Sequence, residues 1–576
     1  MRSVGRPRPR TVVATALALA TVVLAGCTGD PGEPTAAPVV PSATASPSAA
    51  AEDPSPSAVD APARPDIVFV LMDDFSTELL QTMPQALRMQ RDGASYANAF
   101  VVDSLCCPSR AALLTGQAPH QTGVLVNTPN DPDTPIGGYA AWQANGLEHR
   151  QFARSLQRAG YTTGFIGKFL NGYNVSHDDG QLRLPPPVAG WDEWRPVLAG
   201  GYNGWGYRTL TKVPGSEMTT RWHPVPPEAE PETEQDRSYV GHHISRTALR
   251  FIREHRDDDA PFFLTVSTYA PHGAVKPPPD VPLFPPALRD RAPEGVPDGG
   301  NCGAIACGDL TLADLVGYDD PRADNAPTRL HPDGTTGPAP AWRTNPIRIT
   351  DERAVRFLRE RARMVQSIDR MVGRIRQAVG DDAYVVLTSD NGFHLGQHRL
   401  NGGKGAPYDT DSRVPLLVVG PDVAPGERQQ FVSNIDLAPT FEALAGARTP
   451  ALRSGTSFVP SLADAGAPGA RYAFLEHTYA RVRPGEVDAD VHVGGTLAII
   501  PSYVAVRGRR GLLVRVDLDP RWDRADHAWE LYDYESGYAD RNVFAEAHDE
   551  PWARDLRRRL ERWDGCAPRA CRAATR

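Results

Sequence analysis

The sequence lacks the features that mark a nucleic-acid-binding protein. Its 61 lysines and arginines are outnumbered by 70 aspartates and glutamates, which gives a formal net charge of -9. No long basic stretch is present, and the short basic run at residues 554–559 is typical of the solvated face of a helix. We therefore expect no nucleic-acid partner.

Apolar runs long enough for a membrane-spanning helix are lacking as well. The run at residues 11–24 is shorter than the ~20 residues that such a helix needs, and arginines precede it, as in a secretory signal. It leads into Leu-Ala-Gly-Cys, which resembles the lipobox of bacterial lipoproteins and implies a lipid on Cys27. The alternative is an ordinary signal peptide with a chance cysteine. We predict a lipoprotein signal peptide and lipobox at residues 1–27 and an extracytoplasmic protein anchored to the cell membrane.

Residues 28–64 contain almost nothing that can form a core. The segment consists mainly of Pro, Ala, Ser and Thr with a few acidic residues. Such a composition cannot bury enough apolar surface to offset the entropy of ordering the chain, so we predict a disordered tether.

Cysteine is scarce, with seven in 576 residues. Besides Cys27, four of them form two short pairs, Cys302 with Cys307 and Cys566 with Cys571. In an oxidising compartment each pair can close a local disulfide, and the alternative is four free thiols. Cys106 and Cys107 are adjacent, and adjacent cysteines rarely bridge each other. One of these two therefore needs another explanation.

Apolar runs rich in strand-forming residues alternate with helical patterns in residues 65–446. The clearest strands are at residues 66–72, 161–167, 261–268, 383–388 and 415–420. Residues 351–379 place apolar side chains at steps of three and four, which predicts one long helix. The alternation predicts a doubly wound α/β domain with a mostly parallel sheet.

Two other regions have a different pattern. Residues 274–350 are rich in Pro, Gly and Asp, and we predict a long loop or insertion over the site, with surface decoration as the alternative. Residues 447–576 contain short strands of antiparallel type at 503–507 and 511–516 and a helix at 551–563. They predict a smaller C-terminal α+β subdomain.

Polar side chains follow the predicted strands at their carboxyl ends, where open α/β sheets bind ligands. They are Asp73 and Asp74 after the first strand, Lys168 after the second, His272 after the third, and Asp390 and Asn391 after the fourth. The aspartates and the asparagine offer oxygen ligands, which suit Ca²⁺ or Mg²⁺ rather than zinc.

Residues 106–116 begin Cys-Cys-Pro-Ser-Arg and end Thr-Gly. This segment resembles the signature of the type I sulfatases, which belong to the alkaline phosphatase superfamily. The resemblance implies that a formylglycine-generating enzyme oxidises Cys106 to formylglycine, and that Arg110 stabilises it. It also implies that Asp73, Asp74, Asp390 and Asn391 bind Ca²⁺ together with an oxygen of residue 106. A hydrated aldehyde has two hydroxyls on one carbon, one to attack sulfur and one to expel sulfate afterwards.

Three further motifs fall in the order of that family's pattern: Lys168 in Gly-Lys-Phe-Leu-Asn-Gly, His272 in Ala-Pro-His-Gly and Lys404 in Gly-Gly-Lys-Gly. The resemblance implies that the lysines bind sulfate and formylglycine oxygens and that His272 donates to the leaving oxygen. Many sulfatases have a catalytic histidine where this chain has Leu170. We expect His394 to replace it, with His398 as the second candidate.

The Leu-Asn variant at residues 170–171 and the Gly-Trp-Asp-Glu-Trp segment at 190–194 resemble the N-acetylglucosamine-6-sulfatase branch, which implies a sulfated amino-sugar substrate. A phosphodiesterase or phosphonate monoester hydrolase of the same superfamily is the nearest alternative. A non-catalytic lipoprotein that binds sulfated glycans is the alternative of another class, but the predicted nucleophile and metal ligands are all present.

Overall fold

The computed structural model describes residues 64–128, 133–275, 282–323, 326–341, 349–479, 500–518, 526–537 and 539–576. The predicted signal peptide, the lipidation site Cys27 and nearly all of the predicted tether lie outside these residues. Within them, no helix is both long enough and apolar enough to cross a membrane.

The described strands are numbered in chain order. They are β1 (Ile67–Met72), β2 (Ala94–Phe100), β3 (Thr162–Gly167), β4 (Ser176–Asp178), β5 (Gln181–Arg183), β6 (Glu193–Pro196), β7 (Tyr207–Thr211), β8 (Thr219–His223), β9 (Phe262–Ser267), β10 (Thr328–Leu330), β11 (Thr336–Pro338), β12 (Tyr384–Ser389), β13 (Leu416–Val419), β14 (Gly426–Ser433), β15 (Tyr472–His477), β16 (Tyr503–Gly508), β17 (Gly511–Asp517) and β18 (His527–Asp533).

The described α-helices are numbered in the same way. They are α1 (Pro84–Asp92), α2 (Cys106–Thr115), α3 (Pro119–Thr122), α4 (Gly138–Ala144), α5 (Ala153–Arg158), α6 (Glu232–Arg237), α7 (Val240–His255), α8 (Asp351–Met364), α9 (Gln366–Val379), α10 (Asp409–Ser412), α11 (Leu437–Leu444), α12 (Val459–Ala463), α13 (Phe544–Ala547), α14 (Pro551–Trp563) and α15 (Pro568–Ala574).

The large sheet has the strand order β14-β2-β13-β12-β1-β9-β3-β6. All neighbouring pairs are parallel except those of β13, which runs antiparallel to both β12 and β2. The side chains of β1 alternate between two cores, one shared with α1, α7, α8 and α9 and the other with α2, α4, α5 and α11. Because both faces are buried, β1 is a continuous apolar run. The prediction of a doubly wound, mostly parallel α/β sheet is confirmed.

The prediction of one continuous helix at residues 351–379 is wrong in one respect. The structure contains two helices there, α8 and α9, which are separated at Val365. The side-chain amide of Gln366 donates to the carbonyl of Ala362 at 2.8 Å. In a continuous helix the backbone N–H of residue 366 would make that bond. The apolar stripe continues through the break, so the periodicity gave no sign of it.

The second sheet has the order β11-β10-β18-β17-β16-β15, and its paired strands are antiparallel. Helix α14 covers it, with Trp563 stacked on Phe474 at a ring-centroid distance of 4.4 Å. Strands β10 and β11 come from the predicted insertion at residues 274–350, so part of that segment completes the C-terminal sheet. The structure contains both short-range disulfides, Cys302–Cys307 and Cys566–Cys571.

Candidate active site

The polar side chains singled out in the sequence meet at the carboxyl edge of the large sheet. Strands β1 and β12 are parallel neighbours, with Met72 opposite Ser389, so the residues that follow them are adjacent. The backbone N–H of Asp74 donates to Asp390 at 3.2 Å. All the predicted catalytic and metal-binding side chains are buried: Asp73, Asp74, Cys106, Arg110, Lys168, His272, Asp390, Asn391, His394 and Lys404.

Helix α2 begins at Cys106 and is buried along its whole length. Its first turn is tied to neighbouring loops. The backbone N–H of Cys107 donates to the Asn127 side chain at 2.8 Å, and the N–H of Asn171 donates to the Cys107 sulfur at 3.2 Å. Ser109 donates to the Asp390 carbonyl and accepts from the Asn434 amide. These contacts fix the position of Cys106 relative to the strand ends.

The Cys106 sulfur lies within a cluster of charged groups. Its Sγ is 2.9 Å from Lys404 Nζ, 3.4 Å from Asp73 Oδ1 and 3.8 Å from Asp74 Oδ1. Lys404 also donates to Asp74 Oδ1 at 2.6 Å, and Lys168 donates to Asp73 Oδ2 at 2.5 Å. Each lysine is thereby paired with one of the two consecutive aspartates.

Arg110 is held from several sides. Its Nε donates to Asp390 Oδ2 at 2.7 Å, and one terminal nitrogen donates to Ser267 Oγ at 2.7 Å and to the Lys168 carbonyl at 2.9 Å. The other terminal nitrogen is 3.7 Å from Asp73 Oδ1 and has no hydrogen bond within the described part of the chain. Arg110 therefore links the strand-end carboxylates to the helix that carries Cys106.

Burial and charge act on these groups in opposite directions. Burial raises the pKa of Asp73. It also raises the pKa of the Cys106 thiol well above its usual value. Burial also opposes the charged form of Asp390, but Arg110 and the two lysines outweigh it and lower the pKa of Asp390 to about 2. Burial likewise opposes the charge on Lys168, and Asp73 and Cys106 outweigh it and raise the pKa of Lys168 well above its usual value.

The oxygen donors of the cluster fit a hard divalent cation. Ligand atoms of Asp73, Asp74, Cys106 and Asp390 all lie within 4.8 Å of one another. Two buried oxygens, Asp74 Oδ2 and Asn391 Oδ1, have no hydrogen-bond partner among the described residues. Buried carboxylate and amide oxygens without partners are costly unless a cation or a donor satisfies them.

His272 stands beside this cluster. Its Nε2 is 3.6 Å from Asp74 Oδ2, and its Nδ1 is 2.7 Å from the carbonyl of Gly273. The ring of Tyr202 packs against it with centroids 4.5 Å apart, and the same ring lies 4.8 Å from Lys168 Nζ. Sequence analysis missed Tyr202, since it belongs to a short 3-10 helix with no recognisable motif.

The sequence profile of the sulfatase family matches residues 65–447, about two thirds of the chain. The chain belongs to the sulfatase family. It is 30% identical over 414 residues to the extracellular sulfatase SULF-1 homolog of Drosophila melanogaster, covering 69% of this chain and 31% of that relative. It is 27% identical over 403 residues to the N-acetylglucosamine-6-sulfatase of Homo sapiens, covering 66% of this chain and 61% of the human protein. The chain thus spans less than two thirds of the length of either relative.

A solved structure supports the fold. The protein BT4656, in complex with its substrate D-glucosamine-2-N,6-O-disulfate, superimposes with a TM-score of 0.57 and 20% identity. The match covers 87% of this chain and 98% of that structure. The architecture is therefore the sulfatase fold, as predicted.

Leu170, at the position where the resemblance led us to expect a histidine, is buried. The proposed substitute His394 lies next to Lys404, because its backbone pairs with that of Gly403 in both directions. Its Nδ1 is 2.8 Å from Asp411 Oδ1, and its Nε2 has no hydrogen bond to the described residues. The second candidate, His398, stacks on Tyr408 at 3.5 Å and lies 3.2 Å from Asp540.

A cavity of about 290 Å³ opens beside Lys168. Its lining residues include Lys168, Leu170, Asn171, Tyr173, Tyr202 and Tyr269. The Tyr202 hydroxyl donates to Asn171 Oδ1 at 3.0 Å, which orients the amide on the wall. Aromatic rings with a few oriented polar groups are typical of sites that bind small organic molecules.

Proposed function

We propose that this sulfatase family member hydrolyses sulfate esters of sugars, with an N-acetylglucosamine-6-sulfate unit as the substrate. The observation that carries the proposal is the position of Cys106. Its sulfur lies 2.9 Å from Lys404 and beside the two consecutive aspartates, in a buried site at the carboxyl edge of the sheet. The family membership and the relatives named N-acetylglucosamine-6-sulfatase support the choice of substrate.

Formylglycine at position 106 is part of the proposal, made by a formylglycine-generating enzyme before export. Its hydrate supplies a hydroxyl that attacks sulfur and a second hydroxyl that allows sulfate to leave. Helix α2 positions this residue, because its first turn is fixed by the Asn127 and Asn171 contacts. Residue 106 thereby points at the charged cluster.

The surrounding side chains supply the electrostatics. Lys168 and Lys404 lie on either side of the aspartate pair and neutralise the sulfuryl oxygens, on which negative charge grows in the transition state. His272 transfers a proton to the departing sugar oxygen. His394, held by Asp411, is the proposed proton acceptor when sulfate leaves.

Asp73, Asp74, Asp390 and Asn391 are the proposed ligands of Ca²⁺, with Mg²⁺ as the alternative ion. The oxygens of Asp74 and Asn391 that lack partners are the structural support. When bound, the cation supplies positive charge that stabilises anionic oxygens in a dry site. The protein supplies the rigid frame, because Arg110 joins Asp390 to Ser267 and holds the ligand loops together.

The test is sulfate release by protein made together with a formylglycine-generating enzyme. We expect N-acetylglucosamine-6-sulfate to be hydrolysed faster than an aryl phosphonate monoester or a phosphodiester. The Cys106→Ala variant should lose activity on all of them. Faster turnover of the phosphonate or the phosphodiester would replace this proposal with a phosphoryl-type hydrolase. Turnover of neither class, in protein shown to contain formylglycine, would overturn it.

The proposed location is the outer surface of the cytoplasmic membrane, with a lipid on Cys27. A Cys27→Ala variant should appear in the soluble extracytoplasmic fraction, whereas the parent protein should fractionate with membranes. Parent protein found in the soluble fraction would contradict the lipid anchor and leave an ordinary signal peptide.

A further inference from the structure

A surface outside the active site carries exposed arginines that have no acidic partner among the residues that the structure describes. We call it the arginine surface and define it by Arg221 on β8, Arg246 and Arg250 on α7, and Arg374 on α9. In the described part of the chain none of the four makes an ion pair, whereas other exposed arginines do. Arg183, for example, pairs with Asp178 at 3.3 Å.

Side-chain packing joins the β7–β8 hairpin to α7. The ring of His223 on β8 stacks on Tyr207 of β7 at 4.7 Å and meets His243 of α7 at 4.8 Å. The β7–β8 hairpin therefore lies on α7. Arg221 is two residues before His223, so it projects from the same face of the strand and lies next to α7.

Helix α9 extends the surface on the other side of α7. The two helices pack together. His242 of α7 and Arg374 of α9 line one small recess with Arg289 and Arg370. The carboxylates there are already paired, Asp236 with Arg289 at 2.8 Å and the neighbouring Asp290 with Arg370 at 2.6 Å. Arg374 is left to face solvent.

Helix α7 contributes two of these arginines. Arg246 and Arg250 are one turn apart, about 6 Å along the axis, and His242 precedes them by one more turn on the same side. The helix contains one acidic residue, Glu254, in its last turn. Positive charges that extend over β8, α7 and α9 suit an extended polyanion better than a single small anion.

Burial and the nearby arginines lower the pKa values of three histidines in this region, His223, His242 and His243. Burial and then Arg221 and Arg246 lower the pKa of His223, and burial with Arg246 and Arg374 lowers that of His242. Burial together with His223, Arg246 and further arginines lowers the pKa of His243 to about 3. The histidines are therefore neutral at pH 7, and the positive charge of the surface comes from the arginines alone.

We infer that the arginine surface is a second binding site for a sulfated polysaccharide, which it holds by neighbouring sulfate groups while one sugar unit occupies the active site. This inference rests on the proposed function, because it extends the substrate from a sulfated sugar to a sulfated chain. The segment before β7 carries Tyr202, which packs on His272, so the hairpin continues directly from the candidate site. Guanidinium groups pair with sulfate oxygens through two parallel hydrogen bonds, as they do with phosphate and carboxylate oxygens.

The test compares two triple variants with the same change in net charge. Arg246→Ala/Arg250→Ala/Arg374→Ala removes charge from the arginine surface, and Arg554→Ala/Arg558→Ala/Arg562→Ala removes it from exposed positions of α14. The probe is a fluorescent heparin oligosaccharide, and its affinity is measured for the full-length protein at several salt concentrations. Thermal unfolding checks both variants, and an Arg→Gln triple variant replaces the Ala variant if that one is unfolded.

We expect the first variant to weaken binding about tenfold or more, with a shallower dependence on salt, and the α14 variant to bind like the parent. Hydrolysis of a sulfated monosaccharide should be unchanged in both, while KM for the polysaccharide should rise only in the first. Equal affinities of the two variants would overturn the inference, as would equally tight binding of RNA by the parent. Because binding is measured without turnover, an inactive parent would refute the proposed function and leave this result interpretable.

Discussion

At the scale of single residues, the site depends on a balance of buried charges. Lys404 contacts both the Cys106 sulfur and Asp74, while Lys168 neutralises Asp73 and Arg110 neutralises Asp390. Every one of these groups is buried, so the loss of a single partner leaves an uncompensated charge in a medium of low dielectric constant. Each side chain therefore contributes to stability as well as to the proposed chemistry.

His272 gives the first prediction. If it protonates the departing oxygen, His272→Asn should slow hydrolysis of a sugar sulfate by about 100-fold or more. Nitrophenyl sulfate should be affected far less, because nitrophenolate leaves without a proton. His149 is exposed and pairs with Glu148, so His149→Asn is the control that should change neither rate. Equal losses on both substrates for His272→Asn would assign the residue another role.

Arg110 gives the second prediction. Arg110→Lys keeps the charge but cannot make the three hydrogen bonds to Asp390, Ser267 and the Lys168 carbonyl together. We expect the free energy of unfolding in urea to fall by about 2 to 3 kcal/mol. Arg558→Lys, at an exposed position, should change it by less than about 0.5 kcal/mol. A stable Arg110→Lys protein would show that geometry around Arg110 does not matter.

Among the secondary structure elements, the buried strands were predictable from the sequence, but the direction in which they pair in the sheet was not. The five predicted strands match β1, β3, β9, β12 and β13 to within a residue or so at each end. Their continuous apolar runs follow from burial on both faces. The antiparallel direction of β13 depends on pairing with strands that are distant in the chain. The break at Val365 depends on a side-chain hydrogen bond. The spacing of apolar residues reports neither.

Asn542 supports a third prediction. Its Oδ1 accepts from the backbone N–H groups of Leu531 and Phe544, and its Nδ2 donates to the carbonyl of Ala326 beside β10. Asn542→Ala should therefore destabilise the C-terminal sheet by about 2 kcal/mol, seen as a lower melting temperature. Asn98→Ala removes one exposed hydrogen bond to Gln429 and should have little effect. Equal melting temperatures of parent and Asn542→Ala would rule out this supporting role.

For the molecule as a whole, the candidate site exists because the parallel strands β12, β1, β9 and β3 end at the same edge of the large sheet. Sequence alone predicted the residues that follow β1, β3, β9 and β12, since motif and strand end coincide there. It missed Tyr202, which packs on His272, and Asp411, which holds His394. No local pattern marks such residues.

Metal removal gives the fourth prediction. A chelator should lower both activity and melting temperature, and added Ca²⁺ should restore them, because a ligand that binds only the folded state stabilises it by about 3 kcal/mol at a hundredfold excess over its dissociation constant. Asp74→Asn should make the melting temperature insensitive to the chelator. A parent protein whose melting temperature ignores the chelator would argue against the proposed ligand set.

The most direct test of the proposed nucleophile is the mass of the peptide that contains Cys106, from protein purified in an active state. We expect the thiol of residue 106 to be replaced by an aldehyde and Cys107 to be unmodified. Unmodified Cys106 in protein that releases sulfate from a sugar sulfate would contradict the proposed nucleophile.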